Sequence, residues 1–446
     1  MRKPSSGSGY RLAEVEKALL SRWPEHRLDP TLERISAVME LLGNPQRRIP
    51  AIHVTGTNGK TTTARIADEL LRSTGRKVGR YTSPHLTSIR ERIVIDGSPI
   101  DADAFVAVYD EVLPAVEKVD QAGPVSATFF ETVTAMALVS FARACVDAAV
   151  IEVGMGGSWD ATNVVDGRVA VIAPISIDHT EYLGPDEVTI ATEKAGIIKF
   201  GATVVLASQL PEAEHVLRER AANVGAKLQC ASDTVRRITR TTGPTGQRLH
   251  LHGTTHSYPG LFLPLLGEHQ ADNTELALAA VEAFLEADGS SLEPAAARRA
   301  LGRVSAPGRL EKLWDTPPVV VDASHNPAGT AASVAGLREA LSPSRLVVVL
   351  AMLEGKDARG ILEALSDASI VVVTENESPR RRAAGLVAET ARDVLGPDRV
   401  LVEPRMDAAI TKALSIAEPR HPDDHPVVLV TGSVVTAGQA RSVLLG

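Results

Sequence analysis

The chain has 446 residues, 44% of them hydrophobic and 3% aromatic, and its 47 basic and 55 acidic residues give a net charge of −8. This length exceeds what one hydrophobic core supports, so we expect two or three domains. No basic run predicts a nucleic-acid surface. With only two cysteines, a disulfide framework and a cysteine metal cluster are both excluded.

The N-terminal segment has no apolar run of the kind found in signal peptides, and no stretch is long enough to span a bilayer. We therefore expect a cytoplasmic protein without a membrane partner. We also expect residues 1–9 to be disordered.

Apolar strands alternate with helical stretches, which predicts a mainly parallel sheet covered by helices. In chain order, the first part is predicted to form helices 12–20 and 32–42, strand 52–55, helix 62–73, strand 78–81, helices 104–119 and 130–144, strands 148–153, 169–175 and 203–207, and helix 272–287. Residues 232–260 are rich in Thr and Gly and predict a β-hairpin, with strands 235–239 and 248–251 around a Gly-Pro-Thr-Gly turn. A second α/β series follows Arg303, with strands 319–322, 346–351, 370–374, 400–402 and 427–431.

A phosphate-binding pattern lies at the first strand-to-helix junction, His53-Val-Thr-Gly-Thr-Asn-Gly-Lys-Thr-Thr62. Its glycines allow a tight turn close to an anion. Lys60 offers a fixed cation to phosphate oxygens, and the Thr61 hydroxyl is the expected ligand of nucleotide-bound Mg²⁺. The next helix directs its N-terminus at the phosphates. The strict pattern has glycine where Val54 stands, but the flanking strand and helix favour nucleotide binding over an ordinary turn.

These patterns predict an α/β protein with two domains. Residues 1–302 are predicted to form a P-loop nucleotide-binding domain around a mainly parallel sheet. Residues 303–446 are predicted to form a smaller, Rossmann-like α/β domain, with the boundary near residues 302–307.

Several polar groups follow apolar strands, where open α/β sheets bind ligands. Glu152 ends a strand and precedes Gly154-Met-Gly-Gly157, which suits a Mg²⁺ ligand or, alternatively, a capped helix start. Asp178-His179 ends another strand, and Thr82-Ser-Pro-His-Leu86 follows a third as a ligand loop or a plain turn.

Lys194 has apolar residues on its C-terminal side, in Glu193-Lys-Ala-Gly-Ile-Ile198. A lysine held in a dry site has a lowered pKa and a nucleophilic, neutral amine. Such an amine can add CO₂ to give a carbamate whose oxygens suit Mg²⁺. An ordinary solvated lysine is the alternative.

Further polar loops occur later in the chain, at Gly267–Asn273, Pro307–Arg309, Asp322–Pro327 and Thr431–Ser433. Each is weak evidence alone. Together they predict polar groups that line a cleft between the two domains.

In order, these motifs resemble the folylpolyglutamate synthase/dihydrofolate synthase family within the Mur ligase superfamily. The resemblance spans residues 31 to 433 and is carried by Gly56–Lys60, Thr82–Leu86, Glu152–Gly157, Asp160–Asn163, Asp178-His179, Glu193–Ile197, Gly267–Gln270, Pro307–Arg309, Asp322, His325–Pro327 and Thr431–Ser433.

The resemblance implies a role for each of these sites. The ATP-binding residues would be Asn58, Gly59, Lys60, Thr61, Asn273, Arg309 and Asp322. Two Mg²⁺ ions would be held by Thr61, Ser83, Glu152, His179 and Lys194, with CO₂ bound as a carbamate on Lys194. The catalytic residues would be Lys60, Lys194, His179 and His325. The substrates would meet Thr31, Leu32, Glu33, Arg34, Thr128, Phe129, Phe130, Glu131, Ser158, Trp159, Asp160 and Ser433.

The implied reaction is an ATP-dependent ligation in folate biosynthesis and one-carbon metabolism. ATP would phosphorylate the carboxylate of dihydropteroate, of (poly)glutamyl folate or of both. The amine of L-glutamate would then displace phosphate to form the amide. The family resemblance also implies a monomer whose partners are these small molecules.

One departure from the family pattern leaves other functions open. The family usually has Arg after the paired glycines, whereas this chain has Ser158. A Mur-type or specialised-metabolism ligase with a non-folate acceptor is therefore an alternative. A catalytically silent nucleotide-binding module is a second alternative, against which the retained Lys60, Glu152, His179 and Lys194 count.

Overall fold

The computed structural model describes residues 6–23, 30–421 and 423–446. Residues 1–5, the first part of the predicted disordered segment, lie outside the described residues. The prediction is wrong for residues 6–9, because the first helix spans Ser6–Leu20. This helix buries Val15 and Leu19 in the core.

The first sheet is an eight-stranded, mainly parallel sheet in the order β4-β3-β2-β5-β1-β6-β7-β8. Strand β3 is the antiparallel strand of this sheet, since it pairs antiparallel with both β2 and β4. The strands are β1 (Ala51–Thr55), β2 (Val78–Tyr81), β3 (Ile93–Ile95), β4 (Ser98–Pro99), β5 (Ala148–Glu152), β6 (Gly167–Ile172), β7 (Thr203–Leu206) and β8 (Lys227–Cys230).

The three strands at the centre of this sheet, β2, β5 and β1, are buried along their whole length. Burial on both faces fits the apolar side chains that predominate in β1 and β5. Strand β2, Val-Gly-Arg-Tyr, also buries the charged Arg80, whose guanidinium pairs with the buried Asp68. The carboxyl ends of β1, β2 and β5 lie side by side and carry the loops of the candidate site.

Helices α1 to α11 belong to this part of the chain. They are α1 (Ser6–Leu20), α2 (Glu33–Leu41), α3 (Lys60–Arg72), α4 (Ala102–Ala122), α5 (Phe129–Arg143), α6 (Thr180–Leu183), α7 (Glu187–Lys194), α8 (Pro211–Asn223), α9 (Ala231–Thr234), α10 (Glu268–Glu286) and α11 (Pro294–Leu301). Among the described residues, no helix is long and apolar enough to cross a membrane.

The predicted hairpin is part of a three-stranded sheet in the order β11-β10-β9. Its strands are β9 (Arg236–Gly243), β10 (Gly246–His252) and β11 (Ser257–Leu263). Sequence reasoning missed β11, because Pro259 and Gly260 are typical of turns. The strand nevertheless buries Tyr258, Leu261 and Leu263.

The second α/β sheet has six strands in the order β12-β13-β17-β14-β15-β16. They are β12 (Glu311–Asp315), β13 (Pro318–Val321), β14 (Arg345–Leu350), β15 (Ile370–Val373), β16 (Val400–Val402) and β17 (Pro426–Thr431). The edge strand β12 is antiparallel to β13, and the other pairs are parallel. Its helices are α12 (Pro327–Leu341), α13 (Ala358–Ala364), α14 (Ala384–Leu395), α15 (Met406–Ile416) and α16 (Val434–Leu445).

The insertion of β17 between β13 and β14 reverses the strand order at that point. Such a reversal opens a crevice at the carboxyl ends of the strands. The predicted fold class, an α/β protein with two mainly parallel sheets, is confirmed.

The chain forms two compact units. One comprises Met1–Arg237, Leu251–Pro259 and Asn273–Leu301, and the other comprises Ile238–His250, Gly260–Asp272 and Gly302–Gly446. The domain bounds 1–302 and 303–446 stay a prediction.

Candidate functional site

The predicted phosphate-binding loop turns tightly between β1 and α3. Gly56 and Gly59 have φ angles of +144° and +86°, a region that side chains with a Cβ rarely adopt. A Cβ on Gly56 would lie 2.7 Å from the Ala173 Cβ, and one on Gly59 would lie 2.3 Å from the Asn273 Oδ1. Glycine is therefore required at both positions, and Asn273 lies against the loop.

The ammonium groups of two lysines meet at the carbonyl oxygen of Gly56. The Lys60 Nζ donates to it at 2.8 Å, and the Lys194 Nζ donates to it at 3.0 Å. The Lys60 Nζ also donates to the Thr57 carbonyl at 3.1 Å. Lys194 is buried, and desolvation, with a smaller effect from the positive charge of Lys60, lowers its pKa from 10.5 to about 7.

The carboxylate of Glu152 joins the loops that leave β1 and β2. Its Oε1 accepts from the Thr61 hydroxyl at 2.7 Å, and its Oε2 accepts from the Ser83 backbone N–H at 3.2 Å. Three of the predicted metal ligands are thus adjacent. A carboxylate with two hydroxyl-bearing neighbours is a hard oxygen set of the kind that Mg²⁺ prefers.

The other two predicted metal ligands are less closely tied to this group. His179 follows β6 in a left-handed conformation, with φ of 52°, and its Nε2 lies 3.8 Å from the Asp178 Oδ2. Lys194 shares the Gly56 carbonyl with Lys60, but its ammonium cannot bind a cation. Only a carbamate would give this residue metal-binding oxygens.

Asn58, the asparagine of the loop, binds the segment that follows β6, the neighbour of β1 in the sheet. The Asn58 Nδ2 donates to the Ser176 hydroxyl at 3.2 Å, and the backbone N–H groups of Thr57 and Asn58 donate to the Pro174 carbonyl. These contacts tie the loop to the segment that follows β6.

The glycine loop, residues 154–157, is fixed from several sides. The Thr55 hydroxyl at the end of β1 donates to the Gly156 carbonyl at 2.8 Å. The Met155 N–H donates to the Asp160 Oδ2 at 2.9 Å, and the Gly157 N–H donates to the Glu193 Oε1 at 3.2 Å.

Asp160, predicted from the family pattern to meet substrate, is buried within a polar network. Its Oδ1 accepts from the N–H and the hydroxyl of Thr162. Because this hydroxyl donates to Asp160, it accepts from the His53 Nε2, 2.9 Å away. Burial raises the pKa of Asp160 to about 6. Burial, with a smaller effect from Lys199, lowers the pKa of His53 to about 3.

The predicted acceptor residues near the N-terminus form a second group. The Arg34 Nε lies 3.2 Å from both carboxylate oxygens of Glu131. Glu131 also accepts from the Thr128 N–H at 2.7 Å and completes a capping box at the start of α5. The pattern Thr-x-x-Glu predicts such a box, so this contact could have been found from the sequence.

The other predicted acceptor residues are Phe129 and Phe130, whose rings contact their neighbours, and the residues at the start of α2. The guanidinium of the buried Arg92, which sequence reasoning missed, lies 5.0 Å from the Phe129 ring centroid. The Phe130 ring lies 6.0 Å from that of Tyr81. Thr31, Leu32 and Glu33 form the start of α2, where the Thr31 hydroxyl accepts from the Glu33 N–H at 3.1 Å.

Asp322, directly after β13, binds both the loop before β12 and helix α12. It accepts from the Leu310 N–H at 2.9 Å, next to the predicted ATP ligand Arg309, and from the Ser333 hydroxyl at 2.7 Å. The His325 Nδ1 lies 3.0 Å from the Ala323 carbonyl oxygen. Asp322, Arg309 and His325 therefore belong to one loop cluster at this strand end.

Ser433 lies at the end of the neighbouring strand β17 and caps α16. Its hydroxyl accepts from the Thr436 N–H at 3.0 Å, and the Asn376 Nδ2 lies 3.3 Å from it. The two loops are tied by Ser324 and Thr431, whose hydroxyls are 2.9 Å apart. Asn376 gave no sequence signal, because its contact partner is distant along the chain. The assigned roles of all these residues stay predictions.

Comparison with known proteins places this arrangement in a family. The sequence profile of the Mur ligase middle domain matches residues 54–281, and that of the Mur ligase glutamate ligase domain matches residues 308–434. A dihydrofolate synthase/folylpolyglutamate synthase of Mycobacterium tuberculosis is 45% identical over 97% of this chain and 93% of its own length. The chain belongs to the folylpolyglutamate synthase/dihydrofolate synthase family of Mur ligases.

Solved structures of this family have the same fold. The folylpolyglutamate synthase (FPGS) of M. tuberculosis complexed with ADP matches with a TM-score of 0.93 and 45% identity, over 98% of this chain and 99% of that one. An FPGS–AMPPCP–folate complex matches with a TM-score of 0.85 and 30% identity, over 98% of this chain and 100% of that one. The predicted family and enzyme class, a ligase, are confirmed.

Proposed function

We propose that this ligase joins L-glutamate to the carboxylate of dihydropteroate, of (poly)glutamyl folate or of both, with ATP as the phosphoryl donor. Family membership supports ATP-dependent glutamate ligation to a folate. The observation that carries the proposal for this chain is the junction of Thr61, Ser83 and Glu152 beside a glycine-required loop with two lysines.

The proposed reaction has two bond-making steps. A carboxylate oxygen of the acceptor attacks the γ-phosphorus of ATP, the bond to the β–γ bridging oxygen breaks, and ADP leaves. The amine of glutamate then attacks the acyl carbon, the bond to phosphate breaks, and the amine loses its proton. Both steps bring negative groups together, so they require local positive charge.

The loop residues supply much of that charge. Lys60 and the N-terminus of α3 face the position that the phosphates take in the family pattern, and Asn58, Gly59 and Asn273 shape it. Thr61, Ser83, Glu152, His179 and a modified Lys194 would hold the two Mg²⁺ ions. Bound there, the ions would neutralise phosphate charge.

The environment of Lys194 supports the proposed carbamate. The lowered pKa leaves a substantial fraction of neutral amine near neutral pH. That amine can attack CO₂ and lose a proton, which gives a carbamate. The modification removes a buried positive charge and supplies two oxygens, and both changes favour cation binding.

In the second unit, Arg309 and Asp322 are the proposed ATP ligands, and His325 and Ser433 the proposed groups at the reacting substrates. The match of residues 308–434 to the glutamate ligase domain supports this assignment. Arg34, Glu131 and the loop 158–160 are the proposed acceptor site. A cytoplasmic location, expected from the sequence, and a monomeric state, implied by the family resemblance, are likewise proposals.

A second candidate, a ligase for a non-folate acid, is favoured by Ser158. The family arginine at this position would offer a guanidinium to the acceptor, and serine cannot. The presence of Lys60, Glu152 and Lys194 at one site counts against a catalytically silent module.

A panel of acceptors tests the proposal. Purified protein is incubated with ATP, Mg²⁺, L-glutamate and, in turn, dihydropteroate, a reduced monoglutamyl folate, a diglutamyl folate and an unrelated aromatic acid. Phosphate release that depends on both glutamate and one of the folate-type acids is the expected result. Turnover with the unrelated acid alone would support the non-folate ligase, and no acceptor-dependent turnover would support the silent module.

A further inference from the structure

Glu193 binds the loop of residues 157–159 with both its side chain and its backbone. Its Oε1 accepts from the N–H groups of Gly157 at 3.2 Å and of Trp159 at 3.4 Å. Its carbonyl oxygen accepts from the N–H of Ser158 at 3.0 Å and from the Ser158 hydroxyl at 3.0 Å. One residue therefore satisfies four donors of this loop.

The same two segments are joined again by Asn163 and by close packing. The Asn163 Nδ2 donates to the carbonyls of Ser158 at 3.0 Å and of Gly196 at 3.2 Å. A Cβ on Gly196 would lie 2.2 Å from the Ser158 Oγ, and one on Gly157 would lie 3.0 Å from the Lys194 Cα. No side chain fits between them, so the loop and the segment 193–196 are in direct contact.

We propose that Glu193 is a positioning residue that couples the loop of residues 157–159 to Lys194. The coupling rests on the proposed function, in which residues 158–160, which overlap this loop, meet the acceptor and Lys194 carries the carbamate. Lys194 is the next residue along the chain, and its Nζ reaches the Gly56 carbonyl of the phosphate-binding loop. An acceptor that orders the loop therefore also fixes the position of the Lys194 side chain.

The inference also explains what Ser158 does in this chain. Its hydroxyl is bound to the Glu193 carbonyl rather than directed only at a substrate. Serine at this position adds a fourth hydrogen bond to the coupling, which an alanine would lack.

The test compares Glu193→Ala with Glu193→Gln, which keeps an acceptor oxygen for the two N–H groups. Glu187→Ala, on the same helix, is the matched control. We expect Glu193→Ala to raise KM for the folate acceptor about tenfold, since it leaves two N–H groups without their charged partner. KM for ATP should change less than about threefold, and Glu193→Gln should recover most of the loss.

Hydrogen exchange gives a readout that does not depend on turnover. In wild type, the acceptor should slow amide exchange at residues 193–198 as well as at 157–159. In Glu193→Ala it should slow exchange at 157–159 alone, and exchange at 194–198 should be faster already without ligand. Equal protection of 193–198 in both proteins, or a fall in melting temperature with no change in acceptor KM or exchange, would overturn the coupling.

Carbon-13 NMR with labelled CO₂ detects the carbamate on Lys194 directly. We expect a weaker carbamate signal in Glu193→Ala than in the control variant, and an equal signal would contradict the coupling. A wild type that ligates no folate would instead refute the proposed function. The coupling would then still be decided by the ligand-free exchange at residues 194–198.

Discussion

Lys60 and Lys194 donate to the same acceptor, the carbonyl oxygen of Gly56, at 2.8 and 3.0 Å. Two ammonium groups this close repel each other, and burial adds to the cost for Lys194. A phosphate bound at the loop, or a carbamate on Lys194, would relieve that repulsion. The shared carbonyl is therefore where a bound nucleotide and a modified Lys194 would act on each other.

Lys60→Ala should lower kcat by at least about a hundredfold, because the side chain would no longer stabilise charge on the transferred phosphate. The measurement is steady-state phosphate release with the preferred acceptor, with the melting temperature recorded in parallel. Lys77→Ala, at an exposed site away from the loop, serves as the control. Turnover within about threefold of wild type, at an unchanged melting temperature, would refute the assigned role of Lys60.

Lys194→Ala should lose most activity, and short-chain carboxylates such as acetate should restore part of it by standing in for the carbamate. The same salts should not rescue Lys60→Ala, which makes that variant the control. A crystal structure of wild type with nucleotide and Mg²⁺ should show a carbamate at Lys194. Unmodified lysine in such a structure at high resolution would rule the modification out.

Ser158→Arg should raise kcat/KM for the folate acceptor by about ten- to a hundredfold if a guanidinium there binds the acceptor, as one charged hydrogen bond is worth about 1.5–3 kcal/mol. Ser158→Ala loses only the hydroxyl bond to the Glu193 carbonyl, so it separates that loss from the effect of the guanidinium. We expect Ser158→Ala to lower kcat/KM for the folate acceptor. An arginine variant no better than the alanine variant would show that the departure from the family pattern has no part in acceptor binding.

His53→Gln should make the protein less sensitive to acid. Burial lowers the pKa of His53 from 6.5 to about 3, so between these values the unfolded chain binds a proton that the folded chain does not. The wild-type free energy of unfolding therefore falls as the pH decreases through this window, by up to about 1.4 kcal/mol per pH unit from this group. Glutamine removes that dependence and keeps a donor for Thr162.

Urea unfolding between pH 7 and 4 checks this prediction. The difference in unfolding free energy between wild type and His53→Gln should shrink as the pH falls. Asp160 is present in both proteins, so its opposite dependence cancels in the difference. His215→Gln, at an exposed position of α8, is the control for the loss of a histidine at the surface. A difference for His53→Gln that stays constant over this pH range would contradict the neutral, buried state of His53.

Features that depend on local sequence were predicted well. Predicted and observed bounds are the same for β2 and β16, because turn residues flank both strands, Gly75 and Pro84 around β2 and Pro397 and Pro404 around β16. The phosphate-binding loop was predicted since its glycines and Lys60 lie within five residues. Helix α3 begins two residues earlier than predicted, at Lys60.

Contacts between distant residues could not be predicted from one sequence. Glu193 and Gly157 are 36 residues apart, and Asp160 gave no sign that its carboxylate would be buried beside Thr162 and His53. Such contacts depend on how strand ends are placed side by side in the sheet. The family resemblance supplied candidate residues, but it did not indicate which of them hold the site together.

The fate of the acceptor's carboxylate oxygen tests the central claim most directly. A folate acceptor labelled with oxygen-18 in the reacting carboxylate is incubated with ATP, Mg²⁺, L-glutamate and the enzyme, and the released phosphate is analysed by mass spectrometry. The account predicts one labelled oxygen in each phosphate, together with a folate longer by one glutamate. Ligation that yields unlabelled phosphate would contradict the acyl phosphate, and the absence of any lengthened folate would contradict the proposed function.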